Sequence, residues 1–409
     1  MNQSNFVPLT TVQGMHPLEL IEKIGQRRLV VWGCGHLGRC LARIFRSFGV
    51  APLFCDRQTD IIGTNIDGSL VQSIGTTIDS AAMQQSFIVI AVAGAVPQIL
   101  ARGIKAGLTV GEDILSFRKL ARPEAEFQIN GIGDEELVSR ERFTQAVDKL
   151  MKDVPHLLQI TLNGKRDPLL HPDIGALVSF TRERVSCSVT THLNEIEDSA
   201  IGACLQARPH LLVVKAAGLG RNRLAEFQKK LKSVARKRAN TSPATELRVS
   251  YERKRSDDPL NLEAVRSTCE NAGITLVVSE SYIEPYDLVL DYCEGHLPRV
   301  STLRCIKELR WDLDTALNFS KRDAHHPCLC QRIFPVLRHD LSVAVCHLYD
   351  KPQVAADFLT EEYGGLLQHR HMVEHCRNCQ KHALHRLDFD VLQLRHNDFK
   401  TMGRARTGE

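Results

Sequence analysis

Leu157-Leu-Gln-Ile-Thr-Leu162-Asn163-Gly164-Lys-Arg-Asp167-Pro168-Leu-Leu-His171-Pro172 is the stretch on which the fold reading turns. Its first six residues form an apolar, β-prone run. A charged turn closed by proline follows, and Asp173–Arg184 then repeats apolar residues at helical spacing. The same unit recurs on both sides. Strand-like runs are Phe127–Asn130, Leu157–Leu162, Ser186–Thr190, Leu211–Lys215, Glu246–Tyr251 and Ile274–Ser279, and helix-like segments Ser139–Lys152, Asp173–Arg184, Arg223–Arg236 and Leu260–Ala272 lie between them. Strands alternating with helices at this interval predict a parallel sheet curled into a partial (β/α) barrel over residues 121–300. Sites on such sheets sit at the carboxyl ends of the strands.

Upstream, over residues 1–120, Arg28–Trp32 is a short apolar run. Gly33-Cys34-Gly35-His36-Leu37-Gly38 follows, then a helical stretch to Phe48, then Ala51–Cys55 closing at Asp56. The order strand, glycine turn, helix, strand, acid is that of a dinucleotide fingerprint. Gly33 would make the tight turn, Gly35 would admit a phosphate to the backbone, Gly38 would let helix and sheet pack closely, and Asp56 would take ribose hydroxyls. Phe87–Ala93 is apolar throughout, as a strand buried on both faces would be. The segment is too short for two complete dinucleotide-binding halves. Two readings stand: a domain that binds NAD or another nucleotide, and a structural α/β domain that binds nothing.

Downstream, the cysteines concentrate. Cys328-Leu-Cys330 is followed by Cys346 and then by Cys376-Arg-Asn-Cys379. Thiolate suits soft metals and iron–sulfur clusters, and a CxxC pair directs two sulfurs at one centre. Cys330, Cys346, Cys376 and Cys379 make one four-sulfur set, with Cys328 as the alternate. A 4Fe–4S cluster, a structural zinc and unligated thiols remain three readings of that spacing.

Composition narrows the function classes. The 409 residues allow two or three domains, 43% apolar and 24% charged is ordinary for a globular protein, and a net charge of +4 does not call for nucleic acid. The basic run Lys229–Arg238 lacks interleaved aromatics and reads as a solvated helix face. No apolar run reaches membrane-spanning length, and the Met-Asn-Gln-Ser-Asn start has no secretory pattern. Thirteen cysteines without a leader predict a reducing, cytoplasmic setting with thiols and metal rather than disulfides.

Two turns and the cysteine set together resemble the radical S-adenosylmethionine superfamily. Leu162-Asn-Gly164-Lys-Arg-Asp167-Pro168-Leu-Leu-His171-Pro172 is similar to that family's Gly-Gly-Glu-Pro…Leu-His-Pro turn. Val189-Thr-Thr-His-Leu-Asn194 is similar to its Thr-Asn-Gly turn. Residues 301–409 resemble its SPASM or twitch domain, where one Cys precedes a β-hairpin, one follows it and a CxxC comes later. The "Val-Trp-Gly-Cys-Gly-His-Leu-Gly" start and Gly111-Glu-Asp-Ile-Leu115 resemble small Rossmann-like domains beside sugar-modifying transferases. The resemblance implies an α/β chain in three parts: an N-terminal Rossmann-like parallel sheet, a radical S-adenosylmethionine-type partial barrel, and a small C-terminal Cys-rich α+β metal domain. It also implies that Gly164 and Asp167 lie where S-adenosylmethionine binds.

One departure decides the expected chemistry. The family's CxxxCxxC loop is here Gly131-Ile-Gly133-Asp-Glu-Glu136-Leu-Val, with no cysteine between Cys55 and Cys187. Without those thiolates reductive cleavage of S-adenosylmethionine has no electron source. The turn also carries Lys165 and Arg166 where Gly and Glu are usual. The chain is therefore expected to be a degenerate member, a binding or accessory component in a biosynthetic or modification pathway, meeting a small molecule, a peptide or a partner protein. The rivals are an enzyme using NAD or a nucleotide sugar at Gly33–Gly38, and a non-radical S-adenosylmethionine enzyme. No catalytic residue can be named. Cys187, Cys204, Cys269, Cys293 and Cys305 stand singly and read as buried small hydrophobes.

Overall fold

The structure, a computed structural model, describes residues 15, 17–92, 95–117, 120, 124–154, 157–193, 196–217, 221–254, 259–280, 286–296, 313–321, 324, 328, 333–349 and 352–387. Cys330, Cys305, Trp311, His325, His326 and the terminal Arg404 and Arg406 lie outside these residues. Contacts divide the chain into two compact units, one within 12–123 (with 156–159) and the other holding the described residues from Glu124 onward.

The first unit contains α1 (Pro17–Ile24), β1 (Arg28–Trp32), α2 (His36–Ser47), β2 (Leu53–Cys55), β3 (Asn65–Ile66), β4 (Ser69–Gln72), α3 (Ile74–Ala82), β5 (Ser86–Ile90), α4 (Val96–Lys105) and β6 (Ile114–Ser116). Its sheet runs β3-β4-β2-β1-β5-β6, parallel except for the β3–β4 pair. The order departs from β1 in both directions, so chain progress reverses there. With right-handed crossovers this sends helices to both faces and leaves a crevice at the carboxyl end of β1. Every residue of β5 is buried, as its unbroken apolar run requires.

The second unit begins with β7 (Glu124–Gln128), α5 (Arg140–Asp153), β8 (Gln159–Asn163), α6 (Ile174–Arg182), β9 (Ser186–Thr191), α7 (Asp198–Gln206), β10 (Leu211–Ala217), α8 (Arg221–Thr241), β11 (Glu246–Arg253), α9 (Pro259–Asn271) and β12 (Thr275–Glu280). Strand limits differ from the sequence expectation by two to three residues at the start of β7 and β8. The rest of the unit is α10 (Asp287–Cys293), α11 (Leu313–Ser320), β13 (Ile333–Leu337), β14 (Val343–Ala344), β15 (Gln353–Ala355), α12 (Tyr363–Met372), α13 (Glu374–Lys381) and a turn of helix at Leu384–Arg386.

One sheet of nine strands, β12-β11-β10-β9-β8-β7-β13-β14-β15, carries this unit. Strands β7 to β12 stand in sequence order. Such a singly wound run places every crossover helix on one face. Phe127 of β7 stacks on Phe143 of α5 at 4.8 Å between ring centres, which identifies the helix-covered face. Strand β13 pairs parallel to β7, and β14 and β15 return antiparallel, so the cysteine-rich C-terminal segment continues the same sheet. The expected hairpin between Cys330 and Cys346 is thus β13–β14. Leu341 takes a left-handed φ of 68° in its turn. Burial of the Leu341 side chain and the bond from Phe358 N–H to its carbonyl, at 2.8 Å, hold it there.

Candidate functional site

The carboxyl ends of β7, β8 and β9 meet at Asp167. One carboxylate oxygen accepts from Leu169 N–H at 3.0 Å. The other accepts from the Thr191 hydroxyl and from His192 N–H, both at 2.7 Å. The Asp167 carbonyl accepts from Asn130 Nδ2 at 2.9 Å. A buried carboxylate is tolerable only when saturated in this way. The three carboxylate bonds of Asp167, which the sequence reading offered as a cofactor contact, join the ends of β8 and β9, and its carbonyl adds the end of β7 through Asn130. Gly164 is equally constrained: a Cβ there would come within 1.6 Å of Asn130 Oδ1. His171 adds a further tie, through Nε2 to the Val138 carbonyl at 2.9 Å and through Nδ1 from Asp173 N–H at 3.1 Å.

The loop after β7 is a closed turn. Glu136 reaches back so that its Oε2 accepts from Ile132 N–H at 2.7 Å and Gly133 N–H at 3.1 Å. Gly131 N–H donates to the Glu136 carbonyl at 2.7 Å. A Cβ on Gly131 would meet both Glu136 and His339, so only glycine fits. The backbone donors Gly133 and Ile132 hold the Glu136 carboxyl below its ordinary value.

The face of the sheet turned away from the helices is polar, which the sequence reading did not register. On β8, Ile160 and Leu162 are buried while Gln159, Thr161 and Asn163 are half-exposed. On β11, Leu247, Val249 and Tyr251 are buried, and Glu246, Arg248, Ser250 and Glu252 face the other way. Register sets Lys215 of β10 beside Ser250, and Val213 beside Arg248, so the two cations are diagonal neighbours on this face. Arg248 pairs with Glu246 at 2.7 Å. Asn163 Oδ1 and Arg248 Nε are buried and make no hydrogen bond, and such atoms are costly unless a ligand or water meets them. The signal was legible: polar residues alternate through Glu246-Leu-Arg-Val-Ser-Tyr-Glu252, the pattern of a strand with one wet face.

The thiols converge in a separate core of the same unit. Cys346 and Cys379 are buried in a cluster with Tyr286, Tyr349 and Leu384, and Cys328, Cys376 and Cys293 pack against it. Cys346 directly follows β14 by one residue, and Cys376 and Cys379 both lie on α13. Burial pushes the Cys346 thiol up to about 12 and Cys376 to about 11, while the nearby Arg370 guanidinium pulls both down. Cys379 is raised by burial and then by the neighbouring Cys328, with Cys346 and Cys376 adding to it. Each of the four thiols is therefore within electrostatic reach of the others. The Tyr349 hydroxyl lies beside Cys379, and its own ionisation is raised by burial and by that thiol. The structure places Cys328 in this group, while Cys330 lies outside the described residues. As the chain stands, no three His, Cys, Asp or Glu side chains among the described residues are arranged to hold a metal ion. The donors are thiols, the type that a soft metal or an iron–sulfur group takes.

In the first unit, Gly33 (φ 116°) opens the glycine loop at the end of β1, and a Cβ on Gly38 would lie 1.8 Å from the Gly33 carbonyl oxygen. Gly35 is extended and caps α2. Asp56 accepts from Cys34 N–H at 2.9 Å, Arg57 N–H at 2.7 Å and Gln58 N–H at 3.2 Å. Its carboxylate thus fixes the loop. Cys187, Cys204 and Cys269 are buried as expected, and Cys293 is partly exposed.

No family model matches the chain, and no curated protein matches it. Among solved structures, likeness extends to SuiB of Streptococcus suis bound to S-adenosylmethionine, at 12% identity over 60% of this chain and 68% of that one, with a TM-score of 0.38. SuiB bound to its precursor peptide SuiA matches at 11% identity over 67% and 69%, with a TM-score of 0.39. The radical SAM enzyme coproporphyrinogen III oxidase (HemN) of Escherichia coli matches at 13% identity over 50% and 53%, with a TM-score of 0.30. At such scores the likeness carries no inference about this chain. Among the described residues, no helix is long and apolar enough to cross a membrane.

Asp167→Ala should lower the stability of the second unit by about 3 kcal/mol or more, since hydrogen bonds to a charged group contribute about 1.5–3 kcal/mol each. Denaturant unfolding followed by Trp-independent probes, such as proteolysis of residues 124–217, checks this. For Glu136 the sign is fixed by its lowered folded-state value. Its stabilisation is complete above the unfolded value and is lost as pH falls through the folded one. The protection of the Ile132 and Gly133 amides against exchange, relative to their intrinsic rates, should therefore fall on acidification, and Glu136→Gln should remove that step.

Proposed function

We propose that this chain is an iron–sulfur protein of radical S-adenosylmethionine-like design that has lost the reductive cleavage centre and serves as a binding or accessory component of a modification pathway. The observation that carries the reading is the convergence of thiols from three separate segments, Cys328, Cys346 and the Cys376–Cys379 pair, on one buried core. Cys330 is the neighbouring alternative to Cys328. A 4Fe–4S cluster bound there supplies one-electron transfer or a structural cross-link, and zinc supplies the cross-link alone. The sequence resemblance and the singly wound β7–β12 order support the barrel assignment. The SPASM-type reading of residues 301–409 rests on the cysteine spacing and the β13–β14 hairpin.

The closed Gly131–Glu136 turn offers no thiolate, which supports a non-radical role. The polar face of β8 to β11 is the surface we assign to substrate or partner recognition, with a peptide or a small molecule as the class it suits. A second reading, nucleotide binding by a Rossmann-like first unit, is favoured by the glycine loop at the point where strand order reverses.

Anaerobic purification with iron, sulfide and zinc analysis tests the first reading. About four irons and four sulfides per chain support it, one zinc without sulfide supports a structural site, and no metal of any kind overturns it. Cys346→Ser, Cys376→Ser and Cys379→Ser should each lose most of the bound metal, while Cys187→Ser, Cys204→Ser and Cys269→Ser keep it. Comparison of Cys328→Ser with Cys330→Ser assigns the fourth ligand. For the second reading, calorimetry should show a nucleotide bound by the wild type and none by Gly35→Val; no binding of NAD, NADP or a nucleotide sugar by the wild type retires it.

A further inference from the structure

On the polar face of the sheet, strand register sets Lys215 of β10 beside Ser250 of β11. Two residues back along β11, Arg248 lies between Val213 of β10 and Thr275 of β12, and Val213 in turn is beside Thr190 of β9. Register partners share a face and residues two apart return to it, so Lys215, Arg248, Ser250, Thr275 and Thr190 form one patch of hydrogen-bond donors. Lys215, Ser250, Thr275 and Thr190 make no ion pair or side-chain hydrogen bond with any described residue. Arg248 engages Nη2 alone, with Glu246 at 2.7 Å. Its Nε is buried without a partner, and its side chain is 30% exposed.

The carboxylates of the patch are already committed. Glu246 holds Arg248, and Glu252, the diagonal neighbour of Lys215 on its other side, is not free either. Lys215 is thus a cation without a counter-charge, next to a guanidinium with N–H groups to spare. A neutral acceptor would fill those bonds and leave two like charges repelling each other. An oxyanion between them fills the bonds and turns the repulsion into attraction. The planar fork of arginine suits carboxylate and phosphate oxygens alike.

We infer that this patch is an oxyanion subsite: the ligand recognised on the sheet face carries a carboxylate or phosphate group that lies between Lys215 and Arg248, with the hydroxyls of Ser250 and Thr275 donating to it. The inference rests on the assignment of recognition to this face, made above, and is independent of the metal reading.

The test is amine acetylation of the full chain, mapped by peptide mass spectrometry, at constant ionic strength and across titrations with pyrophosphate, with succinate and with the uncharged peptide N-acetyl-trialanine amide. Pyrophosphate or succinate should protect Lys215, while Lys229 and Lys232, exposed on α8, react at unchanged rates. Tighter protection by pyrophosphate identifies a phosphorylated ligand, and tighter protection by succinate a carboxylate. In Arg248→Gln the concentration for half-protection should rise about tenfold or more. Lys229→Gln, the same charge change elsewhere, should leave it within about twofold of wild type. Equal protection of Lys215 and Lys229, or an unchanged half-protection concentration in Arg248→Gln, overturns the inference. Protection by the uncharged peptide alone also overturns it and leaves recognition on this face standing. Protection by none of the three overturns the inference and the face assignment together. If Arg248→Gln does not fold, calorimetry on Lys215→Gln, altered at an exposed position, decides: anion affinity equal to that of wild type overturns the inference.

Discussion

The parallel pairing of β13 with β7 is the contact on which the second unit depends. Strand β7 would otherwise be the open edge of a six-stranded parallel run, with unpaired N–H and C=O groups along one side. The pairing sets Ile333 beside Glu124 and Leu337 beside Phe127. It makes the C-terminal segment a continuation of the sheet. Every later feature follows from that placement. The β13–β14 hairpin leads to Cys346, Phe334 receives Arg370, and His339 at the hairpin turn closes against Gly131. The C-terminal segment also docks through Arg142 with Asp357 at 2.6 Å and through Lys149 over the Phe358 ring.

This arrangement separates two kinds of chemistry within one unit. At the carboxyl ends of β7 to β9, charge is spent on holding the backbone. Asp167 saturates itself on Leu169, Thr191 and His192, and Glu136 folds back on Ile132 and Gly133. A loop so closed on itself leaves its own carboxylate little capacity for a ligand. The sheet face beside it keeps polar atoms without partners, at Asn163 and Arg248. The reading proposed above gives recognition to this face and metal binding to the end of the sheet where Cys346 follows β14.

Much of the fold was legible in the sequence because it is written in short-range pattern. The six strand–helix repeats, the Ser139 cap whose hydroxyl accepts from Arg142 N–H, and the fully buried β5 each follow from local periodicity or a single residue type. The join of β13 to β7 was not legible, since it brings together residues about two hundred positions apart and nothing local encodes a partner. The loop-holding bonds of Asp56 and Asp167 were not legible for a related reason. A carboxylate in a glycine-rich turn serves a ligand or the turn itself, and only the positions of nearby N–H groups decide between them.

The central claim is that thiols from three segments serve one group, and a metal-dependent alkylation footprint of the full chain addresses it most directly. Protein prepared anaerobically, before and after removal of metal by chelation, would be treated with iodoacetamide and mapped by peptide mass spectrometry. The account predicts that Cys346, Cys376, Cys379 and one of Cys328 or Cys330 are protected together and become reactive together when metal is removed, while Cys293 reacts alike in both states. Protection that does not change with metal, or that changes in only one of the three segments, would contradict it.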